Sequence, residues 1–306
     1  MNELRERIQA ELLTHYNNEF YIFVYGCGGV IFRQHFLKLL DSSNGLEIIR
    51  TMEEYNLVKQ KQIGKNYVLI VRHATLRSFG LQNKSVRMTS ARLLHSALFC
   101  EVMFHTYSSG ECDKIRRLLS LSNFAYFAPR NSLNILGRIF SYLESRNVDG
   151  LGVLQGSIAE LEKKTRFIES SYQGRSESMG ETSSLDDLLT LRNNDVYIKS
   201  INAVGDSIVL NVALFATNKR AEKICDAVCK TESTIASTFG NIKLAYRIHV
   251  YSLAHKSEAT EKRVKNRLLS VQGNATKADF YDSILFFHWY DKKNTLFSGI
   301  EIERWL

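Results

Sequence analysis

Apolar residues recur at helical spacing from the start of the chain: Leu4, Ile8, Leu12 and Leu13, separated by charges, predict an amphipathic helix over residues 3–14. The next apolar stretch, Asn18 to Tyr25, runs into Gly26-Cys27-Gly28-Gly29, and the glycines end it. Val30 to Leu40 then sets Val30, Phe36, Leu37 and Leu40 on one side and Arg33, Gln34 and Lys38 on the other, so a second helix is expected there. Asp41-Ser42-Ser43-Asn44-Gly45 reads as a turn with side chains suited to capping the next helix, 46–55. The buried side of that helix is expected to hold Leu46, Ile49 and Met52. Leu57 and Val58 open a strand, Ile63-Gly64-Lys65-Asn66 makes a hairpin tip, and Tyr67 to Val71 returns.

Beyond the hairpin, Met88 to Phe104 predicts a helix with Leu93, Leu94, Ala97, Leu98 and Val102 inside. Shorter helical patterns follow at about Cys112–Leu121, Ser132–Leu143 and Ile158–Ile168. Ser170 to Ser184 is rich in Ser and Gly and nearly free of large apolar residues, so a linker or long loop is expected. After it, strand-like runs at Val196–Asn202 and Ser207–Phe215 are joined at Val204-Gly205-Asp206. A helix over Thr217–Phe239, a strand over Ile242–Leu253, a basic helix over Ser257–Leu269 and a strand over Ser283–Tyr290 complete the order β-β-α-β-α-β, that of an α/β domain. No internal repeat is visible. The expected organisation is α+β: 1–83 as one domain, a helical segment over 84–169, a linker over 170–186 and an α/β domain over 187–306.

Composition narrows the class. With 306 residues, 44% hydrophobic and 24% charged, the chain is globular rather than disordered, collagen-like or a disulfide-stapled miniprotein. The five cysteines are scattered, odd in number and without a paired framework, which suits a reducing cytoplasm. MNELRERIQAELL lacks the apolar core of a signal peptide, and no apolar run approaches the roughly 20 residues needed to span a bilayer. A soluble cytoplasmic protein with no membrane partner is therefore expected.

Charge says more through its position than through its sum. The net charge is +8, from 40 Lys and Arg against 32 Asp and Glu. From Tyr55 to Cys100 there are eight basic residues (Lys59, Lys61, Lys65, Arg72, Arg77, Lys84, Arg87, Arg92) and no carboxylate, so the rest of the chain is balanced. Short helices followed by a basic hairpin with a glycine tip make the order of a winged helix-turn-helix, a module that places one helix in the major groove, where base edges form a distinguishable code. Lys59, Lys61 and Lys65 on the hairpin suit phosphate neutralisation. Asn44, Arg50 and Thr51, at the start of the groove helix, suit phosphate or base contact, with Arg50 facing guanine; Arg33, Asn66 and Arg72 complete the candidate DNA-binding set. Glu47, Glu53 and Glu54 make this helix less cationic than many.

The run Gly29-Val30-Ile31-Phe32-Arg33-Gln34-His35-Phe36-Leu37-Lys38-Leu39-Leu40, followed by GLEIIRTMEEYNLVKQKQIGKNYVLIVRHATLRSFG and then Met88-Thr89-Ser90-Ala91-Arg92-Leu93-Leu94-His95, resembles the replication-relaxation type of winged-helix protein. That family is encoded by plasmids and integrative elements and includes mobilisation accessory proteins. The resemblance covers roughly residues 18–105. It implies a sequence-specific double-stranded DNA-binding protein that acts as an accessory factor in plasmid replication or conjugative mobilisation, with a C-terminal domain that forms a homodimer or recruits a partner such as a replication or mobilisation protein. It also implies a C-terminal domain similar to a degenerate restriction-endonuclease-like fold. Metal-dependent nucleases of that fold need a carboxylate on one strand and an acidic-x-Lys set on the next. Asp206 suits the first, but Asn211-Val212-Ala213-Leu214-Phe215 offers neither, so no enzymatic activity, catalytic residue, metal or cofactor is expected.

Other features have competing explanations. Gly26-x-Gly28-Gly29 is not followed by Lys-Ser/Thr, so a tight turn accounts for it better than a phosphate loop. Cys225 and Cys229 lie one helical turn apart and could hold a metal with His249 or His255, but two small core residues on one helix face account for them better; the same holds for Cys100, His105 and Cys112. Tyr246, Tyr251, Phe286, Phe287, Trp289 and Tyr290 could stack on unpaired bases or belong to a core or dimer interface. Lys262, Arg263, Lys265 and Arg267 form a second basic surface or a solvated face. The alternatives to DNA accessory function are a transcriptional regulator with a C-terminal sensing domain and a metal-dependent nuclease.

Overall fold

The computed structural model describes residues 2–79, 86–108, 129–159, 162–163, 196–204, 207–217, 220–239, 244–252, 258–272 and 285–289. The expected helix over Cys112–Leu121, the Ser/Gly-rich stretch 170–184, most of Ile158–Ile168, and Asp206 and His255 lie outside them. The fold is mixed α+β with two sheets, and the chain divides into two units, Met1–Ala125 with Asp291–Leu306 and Tyr126–Tyr290.

The first unit opens with α1 (Asn2–His15) and α2 (Asn17–Tyr21), which continues as a π turn, Ile22–Gly26, closed by the Cys27 N–H donating to the Ile22 carbonyl at 2.9 Å. The segment expected as one helix from Val30 to Leu40 is divided: Val30–Phe32 is strand β1, and only Arg33–Leu40 is helical (α3). Val-Ile-Phe is a β-favouring run, and its three residues pair antiparallel with Ile70, Leu69 and Val68, partners too distant in sequence for local periodicity to reveal. Gly29 makes the entry possible. Its φ of 80° is left-handed, and a Cβ there would stand 2.7 Å from Val86 Cγ2 and 2.8 Å from Val71 Cγ2.

α3 is followed by α4 (Gly45–Glu54), the hairpin strands β2 (Val58–Ile63) and β3 (Asn66–Val71), and the short α5 (His73–Ser78). The sheet order is β1-β3-β2, all antiparallel, and Gly64 takes the positive φ at the first of the two tip positions. The cap of α4 differs from expectation: Asn44 makes no side-chain cap bond, and Ser42 Oγ instead accepts from the Asn44 N–H at 3.3 Å. The buried side of α4 also differs. Ile49 and Met52 are fully buried, but Leu46 is 49% exposed. The inward stripe is Gly45-Ile49-Met52, because a side chain at 45 would collide with Leu37 and glycine lets α4 approach α3 there.

α6 (Ser90–Ser108) buries Leu93, Leu94, Ala97, Leu98 and Val102 as its pattern predicts, and Phe99, Cys100 and Met103 as well. It packs on β1. Its Glu101 Oε1 lies 2.8 Å from Nε2 of the fully buried His35, joining α3 to α6, and Cys27 and Cys100 bring their Sγ atoms within 3.5 Å. Burial pushes the Cys100 thiol well above its ordinary pKa.

The helical stretch expected over 84–169 is divided between the units: α6 belongs to the first and α7 (Pro129–Ser145) to the second. In the second unit, β4 (Val196–Val204) pairs antiparallel with β5 (Ser207–Phe215), while β6 (Leu244–Ser252) and β7 (Leu285–Trp289) continue the sheet in parallel, in the order β4-β5-β6-β7. Each parallel step uses a helical crossover, α8 (Ala221–Phe239) and then α9 (Glu258–Gln272). Leu136, Ile139 and Leu143 of α7, Ile224, Val228 and Ile235 of α8, and Val264 and Leu268 of α9 share one core with Leu210, Val212, Leu214, Ile248, Val250 and Leu285 of the sheet. All three helices therefore cover the same sheet face.

Two glycines should respond oppositely to the same added methyl. Gly29→Ala combines left-handed strain with crowding and should cost about 2 kcal/mol or more. Gly137 lies inside α7 with open space around its Cα, so Gly137→Ala should stabilise by about 0.5–1 kcal/mol. Urea unfolding followed by circular dichroism measures both; a neutral Gly29→Ala would contradict the packing described for β1.

Candidate nucleic-acid interface

The candidate interface consists of α4, the β2–β3 hairpin and the helix starts that follow. α4 is secured at its C-terminal end by α1: the Arg5 Nη2 group donates to the Glu54 carbonyl at 3.0 Å and Gln9 Nε2 donates to the Tyr55 carbonyl at 2.6 Å. Those carbonyls lack intrahelical donors, so α1 satisfies them and adds positive charge at the negative end of the helix dipole.

A second attachment joins α4 to the hairpin. Both Glu53 carboxylate oxygens accept from Gln60, one from its backbone N–H at 2.9 Å and the other from its Nε2 at 3.0 Å. Gln60 Oε1 in turn accepts from Arg33 Nη1 at 3.3 Å, and the Arg33 guanidinium lies 3.9 Å over the Tyr67 ring. Arg33 is thus half-buried and held against the hairpin, and Glu53, though exposed, is tied to the hairpin through Gln60.

The register decides where the lysines go. Lys59 stands opposite Ile70 and Lys61 opposite Val68, whereas Gln60 and Gln62 stand opposite Leu69 and Tyr67. Alternation puts Lys59 and Lys61 on one sheet face and the Gln60–Glu53–Arg33 cluster on the other. The structure therefore brings Arg33 and Gln60 to α4 but leaves Lys59 and Lys61, both exposed, on the opposite face; Lys65 is exposed at the tip. Asn66 is half-buried, and its Nδ2 is a buried donor with no acceptor among the described residues. Thr51 is also half-buried, with its hydroxyl donating to the Glu47 carbonyl at 3.0 Å; Asn44 and Arg50 are exposed.

Arg72 and Arg77, flanking and within α5, and Arg87 and Arg92 at the start of α6 are exposed too. Of the eight cations in the carboxylate-free stretch, the seven that fall on described residues are all exposed; Lys84 is outside them. The stretch therefore presents positive charge with no internal acid to neutralise it.

The second unit carries a polar cluster that the sequence alone did not single out. Asn211, His249 and His288 lie on β5, β6 and β7, on the sheet face opposite the three helices: His249 Nε2 is 3.4 Å from Asn211 Oδ1, and His249 Nδ1 is 3.0 Å from His288 Nε2. With His249 neutral, its Nε2 proton serves Asn211 and its Nδ1 accepts from His288. Tyr251 stacks on His288 at 4.7 Å and Phe286 on His249 at 5.3 Å. The signal was a polar residue, Asn211, in the middle of a strand that is otherwise apolar. Of the aromatics considered for base stacking, Tyr251 is buried, Phe287 is packed against the helix-side core, and Phe286 is 37% exposed.

The same alternation separates His249 from the cysteines. Cys225 belongs to the helix-side core, its Sγ donating to the Val264 carbonyl at 3.5 Å, while His249 faces the other way. Among the described residues, no three His, Cys, Asp or Glu side chains converge as metal ligands. Lys262, Arg263 and Arg267 of α9 are exposed, and Arg267 lies 3.9 Å from Glu222.

In comparisons with known proteins, the chain matches no family model, and no curated protein or solved structure is significantly similar to it. Among the described residues, no helix is long and apolar enough to cross a membrane.

Two outcomes follow. Glu53→Ala should loosen the hairpin from α4, speeding hydrogen exchange at the Gln60 amide and costing about 1 kcal/mol; unchanged exchange there would remove the clamp from the account. Burial pushes the Cys225 thiol up to about 11, so the folded protein keeps this proton where the unfolded chain loses it. The associated stability is present below the ordinary value of 9.0 and is lost as pH rises toward about 11. Iodoacetamide labelling of native protein, mapped by mass spectrometry, should spare Cys225 near neutral pH and reach it only at strongly alkaline pH.

Proposed function

We propose that the chain is a non-enzymatic, sequence-specific double-stranded DNA-binding protein whose first unit is a winged helix-turn-helix. The observation that carries this reading is the strand order β1-β3-β2 around α3 and α4, together with the exposed, carboxylate-free band of cations that starts on the hairpin. In this reading α3 and α4 are the helix pair, α4 enters the major groove, and the β2–β3 hairpin is the wing. Lys65 at the wing tip and Arg72 contact phosphates, Lys59 and Lys61 reach the flanking phosphates from the wing face turned away from α4, Arg50 reads a base, and Asn44 contacts phosphate or base beside it. Arg33 supports the wing through Gln60 and Tyr67 rather than reaching for DNA on its own.

The resemblance of residues 18–105 to replication-relaxation proteins suggests the biological setting: an accessory factor in replication or mobilisation of a plasmid or integrative element. The second unit would then dimerise the protein or recruit a partner. Two copies would read a repeated or palindromic site and double the modest contact area of one module.

Gel-shift affinity measured from low to high salt tests the reading. Affinity should fall steeply with salt, because lysines that neutralise phosphates release counterions, and each lost contact should reduce the log–log slope by about 0.9. The triple variant Lys59→Ala, Lys61→Ala, Lys65→Ala should therefore have a slope shallower by about 2 to 3. An affinity indifferent to salt would overturn the proposal.

A further inference from the structure

The exposed N-terminal end of α4 carries an apolar side chain where the sequence pattern expects a buried one. Toward the C-terminal end of α4, Glu53 is hydrogen-bonded to Gln60 and the Glu54 carbonyl accepts from Arg5, both side chains staying exposed, and the Thr51 hydroxyl is returned to the Glu47 carbonyl. What remains exposed toward the N-terminal end is Leu46, Glu47 and Arg50. Leu46 is one of only four large hydrophobic side chains exposed among the described residues. It is there because Gly45 takes the inward position that the sequence pattern assigns to Leu46.

Resting on the DNA-binding reading, we infer that Leu46 is a specificity residue that packs against the C5-methyl group of thymine, next to a guanine held by Arg50. The chemistry is complementary. The thymine methyl is the major groove's one apolar landmark, and guanine N7 and O6 accept a guanidinium fork. Residues 46 and 50 are one helical turn apart, about 6 Å along the axis, close to two base-pair steps of about 3.4 Å. The recognised element therefore contains a thymine within about two base pairs of a guanine. Duplex DNA is the occupant that fits this face, because Arg50 lies one turn from the leucine and, although Glu47 is exposed beside it, the unit carries a band of exposed cations free of carboxylates.

The test uses the full-length protein. Bound sites are enriched from a pool of random-sequence duplexes, and the enriched duplex is resynthesised with deoxyuridine replacing one thymine at a time, which removes only the methyl group. Wild-type protein should lose about 3- to 10-fold in affinity at one position of this kind, the value of one buried methyl group or slightly more. Leu46→Ala should bind the thymine duplex with that same loss and be indifferent to the replacement, while Leu46→Met should retain most of the discrimination. Equal wild-type affinity for every thymine and deoxyuridine duplex would overturn the inference while leaving salt-dependent DNA binding standing. Salt-dependent binding without any enriched sequence would overturn it in the same way, and absence of salt-dependent binding would overturn both readings. A monomeric Leu46→Ala beside a dimeric wild type in sedimentation would assign the leucine to a contact between copies instead.

Discussion

The first unit depends on the pairing of β1 with β3. Three residues, Val30 to Phe32, leave a diglycine turn and add to a hairpin that forms far along the chain, with Val30 opposite Ile70 and Phe32 opposite Val68. A two-stranded hairpin is marginal alone in water. The third strand makes β3 central, buries Val68 and Leu69 completely, and ties the hairpin to the residues that lead directly into α3 and α4. The helix pair and the hairpin thereby become one body, and α6 covers the sheet through β1.

Charge on this unit is arranged by position more than by amount. The acidic residues Glu47, Glu53 and Glu54 of α4 are exposed. Glu53 takes part in a clamp that fixes the hairpin to the helix, and the Glu54 and Tyr55 carbonyls accept from α1. Hydrogen bonds to a carboxylate are stronger than neutral ones, so such a residue suits a joint between elements. The stretch from Tyr55 to Cys100 holds no carboxylate, and its described cations remain at the surface.

In the second unit, two crossovers and α7 cover one sheet face with aliphatic side chains, and the opposite face holds the rings of Tyr251, His249, His288 and Phe286. Asn211 belongs to this face for the same reason. Strand alternation sorts the two chemistries, and it also divides Cys225 from His249.

The sequence by itself determined the elements whose information is local. Ile49 and Met52 at helical spacing, the glycine-tipped hairpin, the alternation of Leu210, Val212 and Leu214 and the block of cations free of carboxylates are each legible within a short window, and so is the α+β class that they add up to. Tertiary structure decided what depends on distant partners. Val30–Phe32 is a strand because β3 accepts it, Leu46 is exposed because Leu37 admits only glycine at 45, and Lys59 and Lys61 turn away from α4 because their register with β3 places Gln60 on its side. Periodicity reports which side chains share a face; which face is covered, and by what, is fixed only when the chain meets itself.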